Sequence, residues 1–192
     1  MGPTGHAPLR FRDATTADLP AMARLHRSAY SRDHFLALLP EAVLSDYYGR
    51  FLGDGSRVVL AIRDAGASSQ RMADELLGFT VFGRSIESRI AVFKRDRRGT
   101  ILWAASWHPL LAARKVLVSV AGWRRGGPPH VAAPALLLSI AVGEAGKGVG
   151  RALLEEMLRC SAQAGEDRIG LYVRHTNVAA INSYVRVGFR IV

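Results

Sequence analysis

The fold is decided by SIAVGEAGKGVGRALLEEML, Ser139 to Leu158, in which a run of glycines separates an apolar strand from an amphipathic helix. A helix start leaves backbone N–H groups unpaired and carries the positive end of the helix dipole, so it attracts an anion. Gly146, Gly148 and Gly150 lack a Cβ, which lets the backbone approach a phosphate closely. The segment predicts a pyrophosphate-binding turn, with an ordinary tight turn as the alternative. Neither the Walker nor the Rossmann spacing fits it.

The residues that follow predict a helix, a short strand and a second helix. Apolar residues recur at helical spacing from Val149 to Leu158, and Gly165 stands where a helix would end. The run from Ile169 to Val173 is typical of a short strand. Asn177 is suited to cap a helix that ends at Gly188 and carries Tyr184 on its apolar face.

The second of these helices lies in NVAAINSYVRVGF, Asn177 to Phe189. Together with the glycine segment, it resembles the GNAT acyltransferase superfamily, whose acetyl-CoA site is a strand, a glycine loop and a helix followed by N-x-x-A-x-x-x-Y-x-x-x-G-F. Every fixed position of that pattern is filled here. The resemblance implies an α/β fold (α+β in some schemes), with a mixed central sheet flanked by helices, and an acetyl-CoA-dependent N-acetyltransferase.

The same resemblance assigns most of the site. Tyr184 would donate a proton to the departing thiolate as the general acid, and a core aromatic is the alternative role for this residue. The predicted cofactor-binding residues are Ile140, Ala141, Val142, Ala145, Gly146, Lys147, Gly148, Val149, Gly150, Arg151, Asn177 and Tyr184. No His, Cys, Asp or Glu cluster has metal-ligand spacing, so we expect no metal.

Two positions depart from the family pattern. Ala145 stands where Arg or Gln is usual, and the loop before Gly146 is short, which puts loop shape and affinity in question. The cofactor strand offers only Ser139 where relatives often carry a Glu, so the general base is unassigned. The resemblance places the acceptor pocket between the first two helices, where Tyr30, Asp33 and His34 are the predicted substrate-binding residues. Asp46, Tyr47 and Tyr48 are further candidates for the base.

The first half of the chain supports the same architecture by pattern. We expect a strand at 9–12, a helix with an apolar stripe from Leu19 to Leu25, a second helix over about 34–52, and strands near 58–62 and 76–82 joined by a loop at 64–74. A length of 192 residues suits a single domain. The lone cysteine, Cys160, excludes an internal disulfide, and a buried small side chain is favoured over a nucleophile.

An insertion over 84–134 distinguishes this chain. Of a net charge of +10, most lies in residues 84–125, where ten Lys or Arg side chains accompany only two acidic ones, together with all three tryptophans. Two helices broken near His108 and Pro109 are predicted. They either cap the core, contact an anionic membrane, or bind an acidic partner, with nucleic acid ranked last.

The acceptor is expected to be a small-molecule amine, with an amino-sugar favoured. The alternative function is a non-catalytic acyl-CoA-binding or membrane-associated module. The start, MGPTGHAPLR, lacks an apolar signal core, so we expect a cytoplasmic location, with peripheral contact at the inner membrane surface if the insertion binds lipid. The chain stops soon after Phe189, which suggests a missing C-terminal strand and a homodimer that completes the sheet.

Overall fold

The computed structural model describes residues 9–30, 34–53, 55–63, 75–107, 133–144 and 146–192. Strands and α-helices follow one another as β1 (Leu9–Asp13), α1 (Leu19–Ala29), α2 (Glu41–Gly49), β2 (Ser56–Arg63), β3 (Glu75–Gly83), α3 (Ile86–Asp96), α4 (Arg98–Trp107), β4 (Ala135–Val142), α5 (Val149–Gln163), β5 (Ile169–Leu171) and α6 (Val178–Arg186). Short 3₁₀ helices, Thr16–Asp18 and Phe35–Leu38, precede α1 and α2.

The five strands form one mixed sheet in the order β1-β2-β3-β4-β5. The first four pair antiparallel, and β5 pairs parallel with β4. The central strands are apolar on both faces, as expected when helices cover both sides of a sheet. On one face, Leu60 and Phe79 belong to the core formed with α1 to α4; on the other, Val59 packs with Met157 of α5. The predicted α/β architecture is confirmed.

The predicted helix over 34–52 is wrong in one respect, because Pro40 divides it into the 3₁₀ helix Phe35–Leu38 and α2. A proline disfavours helical geometry in the residue before it. Leu39 is accordingly extended, with φ −72° and ψ 148°. The strand predicted over Ile169–Val173 likewise ends earlier, at Leu171.

The basic segment begins with α3 and α4, which separate at Arg97. Arg97 leaves helical geometry and donates a hydrogen bond to Asp46 at 2.9 Å. The predicted break near His108 and Pro109, and the loop at 64–74, lie outside the described residues. Ile86, Phe93 and Ala104 are buried in the core, so this half of the segment caps the sheet.

Candidate active site

The upper part of β4 carries the backbone predicted to meet the cofactor. β5 pairs with β4 only over residues 135–137, whereas β4 continues to Val142 and stays paired with β3 throughout. The opposite edge of β4, from Leu138 onward, therefore has no strand partner in the part of the chain that the structure describes. Ile140, Ala141 and Val142 lie on this stretch. Backbone groups left without a strand partner are available to pair with a ligand unless a side chain takes them, as the Tyr30 hydroxyl takes the Ile140 carbonyl.

The glycine loop follows this stretch and ends at α5. Gly146 and Gly148 have φ values of +84° and +77°, a conformation that other residues rarely adopt. A Cβ placed at either position would have no heavy atom within 4 Å, so the space beside the loop is open. Val149, Gly150 and Arg151 form the first turn of α5 and direct its N-terminal N–H groups toward that space. Lys147 forms an ion pair with Glu144, and Ala145 lies outside the described residues.

A close approach of α5 to the sheet depends on Gly78 of β3. A Cβ there would lie 2.8 Å from the carbonyl oxygen of Ala141 and 2.9 Å from a methyl of Leu153. Any larger residue would therefore clash with the backbone of β4 and would force the Leu153 side chain of α5 to move. The sequence analysis missed this glycine, since a lone glycine in a strand pattern has several explanations.

A cavity of about 290 Å³ lies beside β4. Its two walls differ in origin. We use "the glycine-loop side" for β4 from Leu138 to Val142, the loop after it, the start of α5, and α6; of these, Leu138, Ser139, Ile140 and Tyr184 line the cavity, and the glycine loop lies beyond it. We use "the aromatic side" for the ring-bearing residues of the opposite wall, which are His26, Tyr30, His34, Tyr47 and Tyr48.

Tyr184 reaches the cavity from α6. The predicted cap of this helix is present, since the Asn177 side chain accepts a hydrogen bond from the Ala180 N–H at 3.3 Å. The Tyr184 ring packs edge-on against Phe189, with centroids 5.8 Å apart. Burial, with a smaller contribution from Tyr30, raises the pKa of Tyr184 to about 12. The phenol therefore stays protonated at neutral pH.

The predicted acceptor residues separate into three groups. Tyr30 and His34 line the cavity, with ring centroids 4.7 Å apart, and Asp33 lies outside the described residues. Tyr47 and Tyr48 also line it, and burial raises the pKa of both hydroxyls. The prediction of Asp46 as a candidate base is wrong, because this residue pairs with Arg50 and Arg97 and does not line the cavity.

Sequence reasoning missed His26, which is only 1% exposed and lines the cavity. Its Nδ1 lies 2.6 Å from the Tyr48 hydroxyl, and its ring stacks on Tyr30 with centroids 4.3 Å apart. The Tyr48 hydroxyl lies 3.3 Å from Ser139 Oγ, which lies 3.0 Å from the Tyr30 hydroxyl. Tyr30 in turn donates to the Ile140 carbonyl at 3.0 Å. Ser139, at the position where the resemblance led us to expect a Glu, is thus the middle of a hydrogen-bonded chain.

Among the described residues, no group of three or more His, Cys, Asp or Glu side chains is placed to hold a metal ion. Cys160 is buried in the core beneath α5, and burial raises the pKa of its thiol. A thiol with a raised pKa is a poor nucleophile. This agrees with the predicted role of a small buried side chain.

The mixed sheet, the glycine loop and the cavity together are the features of an acyltransferase that takes its acyl group from coenzyme A. A family model described as the acetyltransferase (GNAT) family matches residues 93–189, which is half of the chain. The chain belongs to the GNAT family and is an acyltransferase.

Solved structures with the same fold cover nearly all of the chain. An aminoglycoside N-acetyltransferase, AAC(6')-Iy in complex with CoA, matches with a TM-score of 0.58 at 13% identity, covering 100% of this chain and 93% of that one. The ribosomal-protein-S18-alanine N-acetyltransferase from Escherichia coli matches with a TM-score of 0.55 at 17% identity, covering 96% and 79%. AAC(6')-IG from Acinetobacter haemolyticus gives 0.54 at 12% identity, covering 95% and 91%. These structural matches establish a shared fold, and identities this low establish nothing finer.

No curated protein matches the chain by sequence. Within the described ranges, no helix has both the length and the apolar character needed to cross a membrane.

Proposed function

We propose that this protein transfers the acetyl group of acetyl-CoA to the primary amine of a small molecule. One observation carries the proposal: Tyr184, on the capped helix of the second motif, faces the same cavity as the stretch of β4 that lacks a strand partner. The cavity thus brings a proton donor to the strand edge where a thioester would lie. A buried chain of side chains forms the opposite wall.

The protein would hold acetyl-CoA more by backbone groups than by side chains. The pantetheine arm of acetyl-CoA would pair with Ile140, Ala141 and Val142 along the open edge of β4. Its pyrophosphate would lie in the open space beside Gly146 and Gly148, against the N-terminal N–H groups of α5. With this division, Ala145 in place of the usual Arg or Gln would leave the backbone contacts to the pyrophosphate in place.

Tyr184 would protonate the departing thiolate. A phenol with a pKa of about 12 holds its proton until a strongly basic group forms beside it. Holding donor and amine together in one cavity supplies much of the remaining rate enhancement.

The lining suits an acceptor with one amine and a ring or sugar face. The described part of the cavity wall contains five aromatic or imidazole rings on its aromatic side and no carboxylate. His26, Tyr47 and Tyr48 are at most 4% exposed, so Tyr30 and His34 are the rings of this side that can offer a flat face to an acceptor. A polycation needs carboxylates to replace its hydration. We therefore favour an amino-sugar with a single amine over a polycationic aminoglycoside. Acetylation of glucosamine in preference to kanamycin would support this, and the reverse order would exclude it.

The proposed reaction is tested with Tyr184→Phe, which keeps the ring packing on Phe189 and removes the hydroxyl. We expect the turnover number to fall roughly a hundredfold, as for loss of a general acid, while acetyl-CoA affinity is unchanged. Ser183→Ala is the control, since it removes a hydroxyl from the neighbouring position of α6, which is exposed and does not line the cavity, and it should preserve turnover. Equal activity of the two variants would favour the alternative of a non-catalytic acyl-CoA-binding module.

Contact with an anionic membrane or acidic partner through residues 84–125 remains part of the proposal. In α4, Leu102 and Trp103 are 69% and 57% exposed beside the basic end of α3. Sedimentation with anionic vesicles that disappears in Trp103→Ala would support membrane contact, and no sedimentation at low salt would exclude it. The single-domain boundaries, the homodimer and the cytoplasmic location stay predictions, with light scattering as the test of the dimer.

A further inference from the structure

The buried histidine of the cavity wall has one ring nitrogen with a partner and one without. Nδ1 of His26 contacts the Tyr48 hydroxyl at 2.6 Å. Nε2 is buried and has no hydrogen-bond partner. Burial without a hydrogen bond is costly for a polar atom, and Thr80 Oγ1 and Ser161 Oγ are in the same state. His26 differs from these two because it lines the cavity. The neighbouring rings, Tyr30 and His34, both line the cavity.

When all four of its contacts are hydrogen bonds at once, the hydrogen-bonded chain determines which nitrogen of His26 carries the proton. The Ile140 carbonyl at the far end can only accept, so it takes the Tyr30 proton. Ser139 must then donate to Tyr30, and Tyr48 must donate to Ser139. Each hydroxyl has a single proton, so the last contact is made by His26, whose Nδ1–H donates to Tyr48. With the proton on Nδ1, Nε2 carries a lone pair.

His26 is uncharged across the physiological range. Burial, with a smaller contribution from nearby His34, lowers its pKa to about 3. The titratable groups whose rings contact it are Tyr30 on its own helix, His34 before the second 3₁₀ helix, and Tyr48 of α2. His26 is thus a hydrogen-bond acceptor rather than a group that retains a proton.

We propose that Nε2 of His26 accepts a hydrogen bond from the acceptor amine, which enters the cavity uncharged, and thereby directs the nitrogen lone pair at the thioester. This rests on the proposed function. It explains why the cofactor strand carries Ser139 instead of a carboxylate: the wall holds a neutral tautomer and extracts no proton.

The protons of the reaction balance without a general base. A neutral primary amine has two N–H protons, and the new C–N bond forms as the C–S bond breaks. The N–H bonded to His26 remains on nitrogen as the amide N–H. The second proton is lost from nitrogen and restores the Tyr184 hydroxyl, whose own proton has gone to the thiolate. The products are therefore an amide and the thiol of CoA. A secondary amine has one N–H, which cannot fill both roles, so it is expected to be a poor acceptor.

The tautomer is measured on the wild-type protein, independently of activity. Two-dimensional ¹⁵N–¹H correlation spectra of the histidine side chains distinguish an imidazole protonated on Nδ1 from one protonated on Nε2. We expect His26 to show the Nδ1–H form, unchanged from pH 8 to pH 5. An Nε2–H tautomer, or an imidazolium in that range, would overturn the proposal whatever the enzyme acetylates.

A pair of variants tests the contact with the amine. His26→Asn places an amide N–H near the Nδ1 position, so it retains the bond to Tyr48 and removes Nε2. We expect kcat/KM for the amine to fall roughly tenfold or more, with acetyl-CoA affinity unchanged. His175→Asn, the same change at an exposed histidine outside the cavity, should leave both unchanged. Full activity of His26→Asn would overturn the inference while leaving the acetyltransferase proposal intact.

The pH profile separates an uncharged acceptor from an enzyme base. With two primary amines of different pKa, the inflection of kcat/KM should move with the pKa of the amine. An inflection at one fixed pH for both amines would mean that an enzyme group takes the proton, which would contradict the proposal. A wild-type protein that does not bind acetyl-CoA, or that shows no turnover, would instead count against the proposed function. The tautomer measurement would still decide the state of His26.

Discussion

The two sides of the cavity present different parts of the chain, one mainly backbone groups and the other side chains. The glycine-loop side presents backbone: the open edge of β4, the left-handed Gly146 and Gly148, and the start of α5. The aromatic side presents side chains, and its hydrogen-bonded chain joins positions as far as 110 residues apart in sequence. A backbone site needs only local spacing, so it can be shared by many relatives. A side-chain wall can change with each acceptor.

The largest expected effect concerns how α3 supports the aromatic side. Phe93 is 2% exposed, and its ring lies 4.9 Å from that of Tyr47. We expect Phe93→Ala to lower the free energy of unfolding by about 3–5 kcal/mol and to raise KM for the amine, because the ring beneath Tyr47 is lost. Urea unfolding measures the first effect and steady-state kinetics the second.

Trp103→Ala is the control, since this 57% exposed ring should cost well below 1 kcal/mol. Equally small losses in both variants would mean that α3 does not belong to the core. A rise in the acetyl-CoA dissociation constant of Phe93→Ala would show that the two sides are not independent.

The glycine-loop side is tested by adding one methyl group. Gly148 and Gly165 have φ values of +77° and +74°, and a Cβ at either would meet no atom within 4 Å. Alanine should therefore cost each variant a similar backbone strain of about 1–2 kcal/mol. Only Gly148→Ala places its methyl where the pyrophosphate would approach, so we expect its dissociation constant for acetyl-CoA to rise about tenfold.

Calorimetric titration of both variants makes this comparison. Similar affinities, despite similar losses of stability, would place the pyrophosphate elsewhere. Weakened binding in Gly165→Ala would attribute the effect to strain alone.

A pH dependence of stability is also expected to arise from the aromatic side. The pKa of His26 is about 3 in the folded protein and near 6.5 when unfolded, so between these values the unfolded state binds the extra proton. Stability that His26 contributes is therefore present above about pH 6.5 and is lost on acidification toward pH 3, by at most roughly 1.4 kcal/mol per pH unit. The stability difference between wild type and His26→Asn should shrink as the pH falls. A difference that stays constant from pH 7 to pH 4 would show that the pKa of His26 is not lowered.

The glycine-loop side could be predicted from the sequence because its information is local. Gly146, Gly148 and Gly165 adopt the left-handed backbone that their positions indicated, and Asn177 caps α6 through its own third neighbour. The positions of the strands along the chain followed from alternating or continuous apolar runs. Pro40 also carried a local signal, since a proline marks a boundary in a helical pattern.

The aromatic side could not be predicted in the same way. His26 stands four residues after Met22 and four before Tyr30, so it reads as part of an apolar helix stripe. Its partner Tyr48 lies 22 residues away and Ser139 a further 91, and no sequence spacing encodes those contacts. The break at Arg97 has a similar origin, because it coincides with a hydrogen bond to Asp46 on another helix.

Titration with acetyl-CoA tests most directly the claim that the backbone side of this cavity is a coenzyme A site. Calorimetry with acetyl-CoA, free CoA and the 3′-dephospho form should give micromolar binding of the first two and weaker binding of the third. That result would establish the donor and leave the acceptor to be identified by a screen of primary amines. No heat of binding for any of the three would contradict the account, because the loop around Ala145 would then not hold a pyrophosphate.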